Sequence, residues 1–476
     1  MSEISKVIGQ GTYGCVHKPS LLCKNKPNFS YKNKVSKVLS KKDAKTELKE
    51  YNKVKKADKN NEYYLGIPTR CDVDFTKQTI EGLEKCKIGK NVIYNLNNYN
   101  LLIMEDGGLN IEDYVKKMDG WSKSEMSTEL CEKFLLESLR LFKGLKVFKE
   151  HGLIHHDLKP QNIVYNEKTN RLNFIDFGLM ISKNKLIKAA NEGNYKFALF
   201  HWSFPWELEY VNRNSYVAIA NSTLNQHKRM KIINDQAKDR RGNYYEHGSN
   251  FFFYAIDNEL SPSDYKEVCT NYVEGYEKTI SSDLAELGYN KFVDSCANSI
   301  DVYGLGLAML HWYYTAREHI DADLSVDLIQ LFFKMVFPRI KYRSTIEQLI
   351  PDFEDILNKH GLLDKYNKKI VDHIVVDNDI KALVKMPIVD SFEKIKKPDE
   401  EIINSTPEPC PDGKIKNDSG KCIRRKREPI DKMMLPCPEG KVRNPKTKRC
   451  VNNCKPGQVR NEQFKCIKNK TNKIRN

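Results

Sequence analysis

Hydrophobic and polar positions change period several times along the first 350 residues, and each change predicts an element. Short β-branched runs, Val35-Ser36-Lys37-Val38-Leu39 and Leu172-Asn173-Phe174-Ile175, predict strands. Between Lys42 and Asp58, Leu48, Tyr51 and Val54 fall on one stripe and predict a helix. Leu135, Leu139, Phe142, Leu145 and Phe148 recur at three- and four-residue steps and predict a second amphipathic helix. Cys15 to Lys18, followed by Pro19, reads as a strand and a turn. Residues 60–100 are rich in Asn, Lys and Tyr and thread poorly onto strands. The longest apolar stretch, around Val302 to Tyr314, is broken by Gly304, Gly306 and His311. It falls short of the roughly 18 residues a membrane span needs, so no transmembrane helix is expected. The polar start, Met1 to Lys6, predicts no secretory leader and a protein that begins in the cytosol.

Composition changes this picture mainly at the C-terminal end. The chain has 476 residues, 40% apolar and 30% charged, which excludes a small stapled scaffold and allows a large core. Of the net charge of +16, most lies in residues 401–476, where 20 Lys/Arg face 8 Asp/Glu. Such a tail suits polyanions (nucleic acid, acidic protein or anionic headgroups), or serves solubility alone. Six of 13 cysteines crowd the same region, in three copies of one unit. Cys410-Pro-Asp-Gly runs to Cys422-Ile423, Cys437-Pro-Glu-Gly to Cys450-Val451, and Cys454-Lys-Pro-Gly to Cys466-Ile467. A linker over 394–409 precedes them. Units this short cannot bury a core, so a disulfide within each is the leading expectation. Zinc is the rival, although the tail has no His and no Cys-x-x-Cys; reduced cysteines are the third possibility.

Candidate chemistry lies in the first part. Ile8-Gly9-Gln10-Gly11-Thr12-Tyr13-Gly14-Cys15-Val16 places three glycines at G-x-G-x-x-G spacing, where backbone amides can approach phosphate oxygens. Dinucleotide-binding folds share this spacing but continue into a helix, whereas a strand is expected here. Lys37 can project an ammonium from its strand into a cleft, with Glu50 the expected partner from the following helix and Glu47 the alternative. The most informative segment is Ile154-His155-His156-Asp157-Leu158-Lys159-Pro160-Gln161-Asn162-Ile163-Val164, followed by Asp176-Phe177-Gly178 after a strand. An acid, a lysine two residues on and an amide five residues on can converge from one loop on a hydroxyl, a γ-phosphate and a metal ion. Asp176 offers a second carboxylate to the metal.

In these motifs residues 4–350 resemble the eukaryotic-type protein kinases. The resemblance implies an α+β, bilobal protein-kinase fold, with a small β-rich N-lobe over 1–106 and a larger helical C-lobe over 107–393. It implies that Ile8, Gly9, Gly11, Gly14 and Val16 cover ATP, that Lys37, paired with Glu50, holds its α- and β-phosphates, and that Met104-Glu105 leads the hinge receiving adenine. By the same resemblance Asp157 would accept the substrate proton, Lys159 would neutralise the γ-phosphate, and Asn162 and Asp176 would hold Mg²⁺. Lys159 is the form similar to serine/threonine kinases. Pro205-Trp206-Glu207 is similar to the family's Ala-Pro-Glu, with Arg343 as its ion-pair partner, and Asp301 to Gly306 to its buried central helix.

The chain departs from that pattern in three places, one of them the segment 60–100 before the hinge. His156 stands where many regulated kinases have Arg, which makes activation by loop phosphorylation unexpected. An insert near 209–298 separates Glu207 from Asp301 and contains Phe251-Phe252-Phe253-Tyr254. The tail units are similar to the two-cysteine adaptor repeat of large double-stranded DNA viruses. That likeness implies a viral kinase in host cytoplasm, a viral factory or the virion, with a protein substrate and an adaptor or virion partner. The competing expectations are a nucleotide-binding scaffold, a small-molecule kinase of related fold, and a protein that binds nucleic acid through its tail. The tail's lone aromatic, Phe464, makes nucleic acid secondary.

Overall fold

The computed structural model describes residues 5–11, 14–24, 26, 28–120, 127–195, 203–220, 225–233, 262–378 and six short strands between 414 and 468. They fall into two compact units, Met1–Pro387 and Ile388–Asn476.

The first unit begins with a five-stranded antiparallel sheet in the order β1-β2-β3-β5-β4. These strands are β1 (Lys6–Gln10), β2 (Gly14–Lys18), β3 (Lys34–Ser40), β4 (Thr69–Asp72) and β5 (Tyr99–Glu105). β3 ends where Ser40 caps helix α1 (Lys41–Ala57), its Oγ accepting from Asp43 N at 3.1 Å. The turn from strand to helix therefore takes no linker. A Cβ at Gly14 would meet Val38 O at 2.0 Å, so only glycine allows this approach of β2 to β3.

The segment between β4 and β5, unreadable as strands, holds helices α2 (Lys77–Glu84) and α3 (Gly89–Tyr94). Disulfides Cys15–Cys86 and Cys23–Cys71 tie this part of the chain to β2 and to the segment after it. Lys87 N also donates to Gln10 Oε1 at 3.0 Å. Both disulfides join cysteines whose scattered spacing predicted no pairing, and among the described residues Cys131 and Cys296 are buried thiols.

The helical part follows β5. The helix predicted from Leu135 to Phe148 spans Thr128–Glu150 and buries Leu135, Leu139, Phe142, Leu145 and Phe148. It packs beside Leu284–Ala316, a long helix kinked at Gly288 (φ 69°), through stacked Phe134 and Trp312, 4.6 Å between centroids. Helices Ala322–Val336 and Ile346–Lys359 complete the layer. A Cβ at Gly304 would meet Leu158 O at 2.2 Å, so the central helix lies directly against the loop that carries Asp157.

Arg343 and Glu207 form the expected ion pair, 2.5 Å and almost fully buried. The described parts of the insert bond to one another, Tyr216 OH donating to Leu284 O at 2.6 Å and Arg229 pairing with Glu277 at 2.7 Å, and to the segment after the helix Ala322–Val336, where Thr279 Oγ1 donates to Pro338 O at 3.0 Å and Asp283 pairs with Arg339 at 2.6 Å. Phe251 to Tyr254 lie outside the described residues. No helix among the described residues is long and apolar enough to cross a membrane.

The second unit contains three antiparallel ribbons, Lys414–Lys416 with Cys422–Arg424, Lys441–Arg443 with Cys450–Asn452, and Gln458–Arg460 with Cys466–Lys468. The register repeats with the sequence, since a basic residue faces the second cysteine each time: Lys416, Arg443 and Arg460 opposite Cys422, Cys450 and Cys466. Cys466 is disulfide-bonded. Cys410, Cys437, Cys454 and the 394–409 linker lie outside the described residues.

Candidate active site

Lys37 sits in the middle of β3, opposite Val16 of β2 and Leu102 of β5. Its Nζ lies 2.9 Å from Glu47 Oε2 and 2.9 Å from Asp176 Oδ1. The carboxylate that meets Lys37 is thus Glu47, and the expectation of Glu50 is corrected: Glu50 pairs with Lys53 on its own helix. Helix geometry explains the difference. Lys37 is three residues before the cap at Ser40, and Glu50 lies about 4.5 Å farther along the axis than Glu47. Glu47 shares the buried stripe of Ala44, Tyr51 and Val54. Burial works against charge on Lys37, but Asp176 and Glu47 outweigh it and raise its pKa above the ordinary lysine value. Burial likewise pushes Asp176 up, and the Lys37 ammonium reverses this and holds it below the usual carboxylate range.

The loop with Asp157 is fixed from several sides. His155 N and His156 N donate to the Asp301 carboxylate at 2.7 and 2.9 Å. Lys159 Nζ donates to Asp157 Oδ1 at 2.8 Å, and Asn162 Nδ2 to Asp157 Oδ2 at 2.8 Å. Using Nδ2 in this way leaves Asn162 Oδ1 as the acceptor for a cation. Ile175 N donates to Asn162 O, and His155 Nε2 meets Ile175 O, both at 3.0 Å. Asp176 is therefore delivered next to the loop by the residue before it. Asp176 takes a left-handed backbone (φ 61°), which turns the chain so that its carboxylate faces Lys37 while Phe177 is fully buried. Tyr51, Phe148, Tyr64 and His155 surround the Phe177 ring at 5.0–6.1 Å.

β1 and β2 form the glycine-rich hairpin. Gly9 lies opposite Val16, Gly11 N donates to Gly14 O at 2.9 Å, and Ile8 is 45% exposed. Glu105 ends β5 opposite Lys34 and forms an ion pair with it. The oxygen donors Asp176 and Asn162 fit a hard cation such as Mg²⁺, which takes one or two carboxylates and fills its shell with phosphate oxygens and water. Glu47 is the alternative that the helix period left open, while nothing local in the sequence marks His155 as a link between the loop and Ile175.

No protein-family model matches the chain. The human cell division cycle 7-related protein kinase is 44% identical over 41 residues, 9% of this chain and 7% of that protein. The probable serine/threonine-protein kinase fnkB of Dictyostelium discoideum is 36% identical over 87 residues, 18% of this chain and 14% of its own. The chain thus spans about a seventh or less of these curated relatives. Among solved structures, the kinase PK-1 of Cydia pomonella granulovirus matches 38% of this chain and 54% of its own, at 23% identity and a TM-score of 0.24. With a sheet lobe, a helical lobe and their elements in this order, the chain has an α+β protein-kinase fold and counts protein kinases among its relatives.

Proposed function

We propose that the protein is an ATP- and Mg²⁺-dependent kinase acting on serine and threonine hydroxyls of protein substrates. The observation that carries this reading is the continuity of the site: the Lys37–Glu47–Asp176 cluster is joined through Ile175 to the loop bearing Asp157, Lys159 and Asn162. Phosphoryl transfer needs little covalent help from a protein and much positioning and charge stabilisation, and these residues supply both.

Asp157 takes the proton from the attacking hydroxyl at its carboxylate. Lys159, already against that carboxylate, places positive charge where the γ-phosphate arrives. Lys37, kept cationic by two carboxylates, binds the α- and β-phosphate oxygens, and the backbone of Gly9, Gly11 and Gly14 lies over them with Ile8 and Val16 against the base. Asn162 and Asp176 hold Mg²⁺, which when bound neutralises phosphate charge in the transition state. A small-molecule kinase is disfavoured by Lys159 and by the Glu207–Arg343 pair.

The basic, repeated tail supports an adaptor role, capturing a protein or virion partner, with nucleic acid secondary. Its likeness to viral repeats supports a place in host cytoplasm, a viral factory or the particle. A scaffold that binds ATP without transfer is the second reading. Transfer to a generic protein acceptor, followed by acid hydrolysis and phosphoamino-acid separation, tests the main one. Phosphoserine or phosphothreonine is expected; phosphotyrosine alone would overturn the substrate class, and ATP binding without transfer would favour the scaffold.

A further inference from the structure

The residue before Asp157 has an unusual setting. His156 is fully buried and takes a left-handed backbone, φ 67°, rare for a residue with a bulky side chain. Such a conformation persists when its surroundings over-determine it. Asp301 fixes the backbone from one side, and the side chain is fixed from the other: His156 Nε2 lies 2.8 Å from Tyr195 OH, in a contact that is itself buried. Phe204 packs on the imidazole at 5.2 Å between centroids. Tyr195 is 1% exposed, and its own backbone is clamped by one side chain, Asn212, which accepts from Tyr195 N at 3.1 Å and donates to Tyr195 O at 2.9 Å.

Tyr195 lies in the segment from Asp176 to Glu207, which in regulated kinases is ordered by phosphate on a hydroxyl paired with Arg. Here that segment has three hydroxyl side chains, Ser182, Tyr195 and Ser203, and no Thr. Ser182 caps the helix Lys183–Asn191, and Tyr195 and Ser203 are buried. The imidazole at 156 already has a neutral partner and lacks the forked donors that a phosphate would engage.

Resting on the kinase reading above, we propose that Tyr195 and His156 are positioning residues: their hydrogen bond latches the Asp176–Glu207 segment onto the catalytic loop and orients Asp157 without phosphorylation. The latch acts on the geometry of Asp157, so it governs turnover and leaves nucleotide affinity alone. Removing the phenolic oxygen relaxes the loop at the base and leaves the Lys37 cluster in place.

The test uses the full chain and compares wild type, Tyr195→Phe, His156→Leu, His156→Gln and the double variant Tyr195→Phe/His156→Leu in steady-state transfer from ATP. Tyr195→Phe and His156→Leu each lower kcat roughly tenfold or more, with KM for ATP unchanged. The double variant loses no more than either single one, because both remove the same bond. His156→Gln, whose amide can reach the same hydroxyl, retains most of the turnover, which a packing role alone does not explain. Phosphatase-treated wild type keeps its kcat. Wild-type kcat in Tyr195→Phe, or loss of activity on phosphatase treatment, overturns the latch and leaves the kinase reading intact. Absence of transfer by wild type overturns both.

Discussion

Glu47 and Glu50 lie one turn apart on α1, and both are buried, yet Glu47 meets Lys37 while Glu50 turns to Lys53. Glu47→Gln is expected to remove a charge-assisted bond worth about 1.5–3 kcal/mol, which lowers kcat/KM for ATP roughly ten- to hundredfold. Glu50→Gln should leave kcat/KM within about twofold, because its charge pairs with Lys53 on the same helix and not with Lys37. Equal losses in steady-state assays of the two variants would contradict the assignment. His311 gives a second prediction. Burial lowers its pKa from 6.5 to about 4, with Glu112 opposing and Lys116 adding a smaller push, so the folded protein holds it neutral. The unfolded chain binds the proton more readily between those values, so this residue's contribution to stability is present above pH 6.5 and is lost as pH falls toward 4. Urea titrations across that range should show a shallower fall for His311→Gln than for wild type, and identical slopes would remove His311 as a source.

At the scale of elements, the strand Lys34–Ser40, the helix Lys41–Ala57 and the helix Thr128–Glu150 were legible because their apolar periods are long and their neighbours simple. Asp157, Asn162 and Asp176 were legible for another reason, namely that one short stretch supplies the whole chemical set. The inserted helices α2 and α3 were not, since their apolar faces are short and one of their anchors is a disulfide. Cys15 and Cys86 are separated by 71 residues and Cys23 and Cys71 by 48, and no local spacing announces such nested pairs. The choice between Glu47 and Glu50 failed because one residue of uncertainty in a helix start exceeds what separates the two faces. Because each disulfide closes a long loop, Cys71→Ser should destabilise the oxidised protein by about 2–4 kcal/mol. Denaturant midpoints should then differ between variant and wild type without reductant and converge with it. Equal midpoints without reductant would mean that the Cys23–Cys71 bond contributes nothing to folding.

Across the whole molecule, Met1–Pro387 and Ile388–Asn476 are compact separately, and every proposed reacting group belongs to the first. Deleting residues 401–476 should therefore leave kcat and KM for ATP unchanged while abolishing capture of an acidic or virion partner. A folded truncation without activity would make the tail part of the machinery. All of this depends on Asp157 acting as the base within an otherwise intact nucleotide site. The most direct test is γ-phosphate transfer from labelled ATP with Mg²⁺ to a generic protein acceptor, wild type beside Asp157→Asn, with ATP binding measured on both preparations. Transfer by wild type alone, with equal ATP binding by the two, is the predicted result; equal transfer by both, or ATP binding without transfer by either, would contradict it.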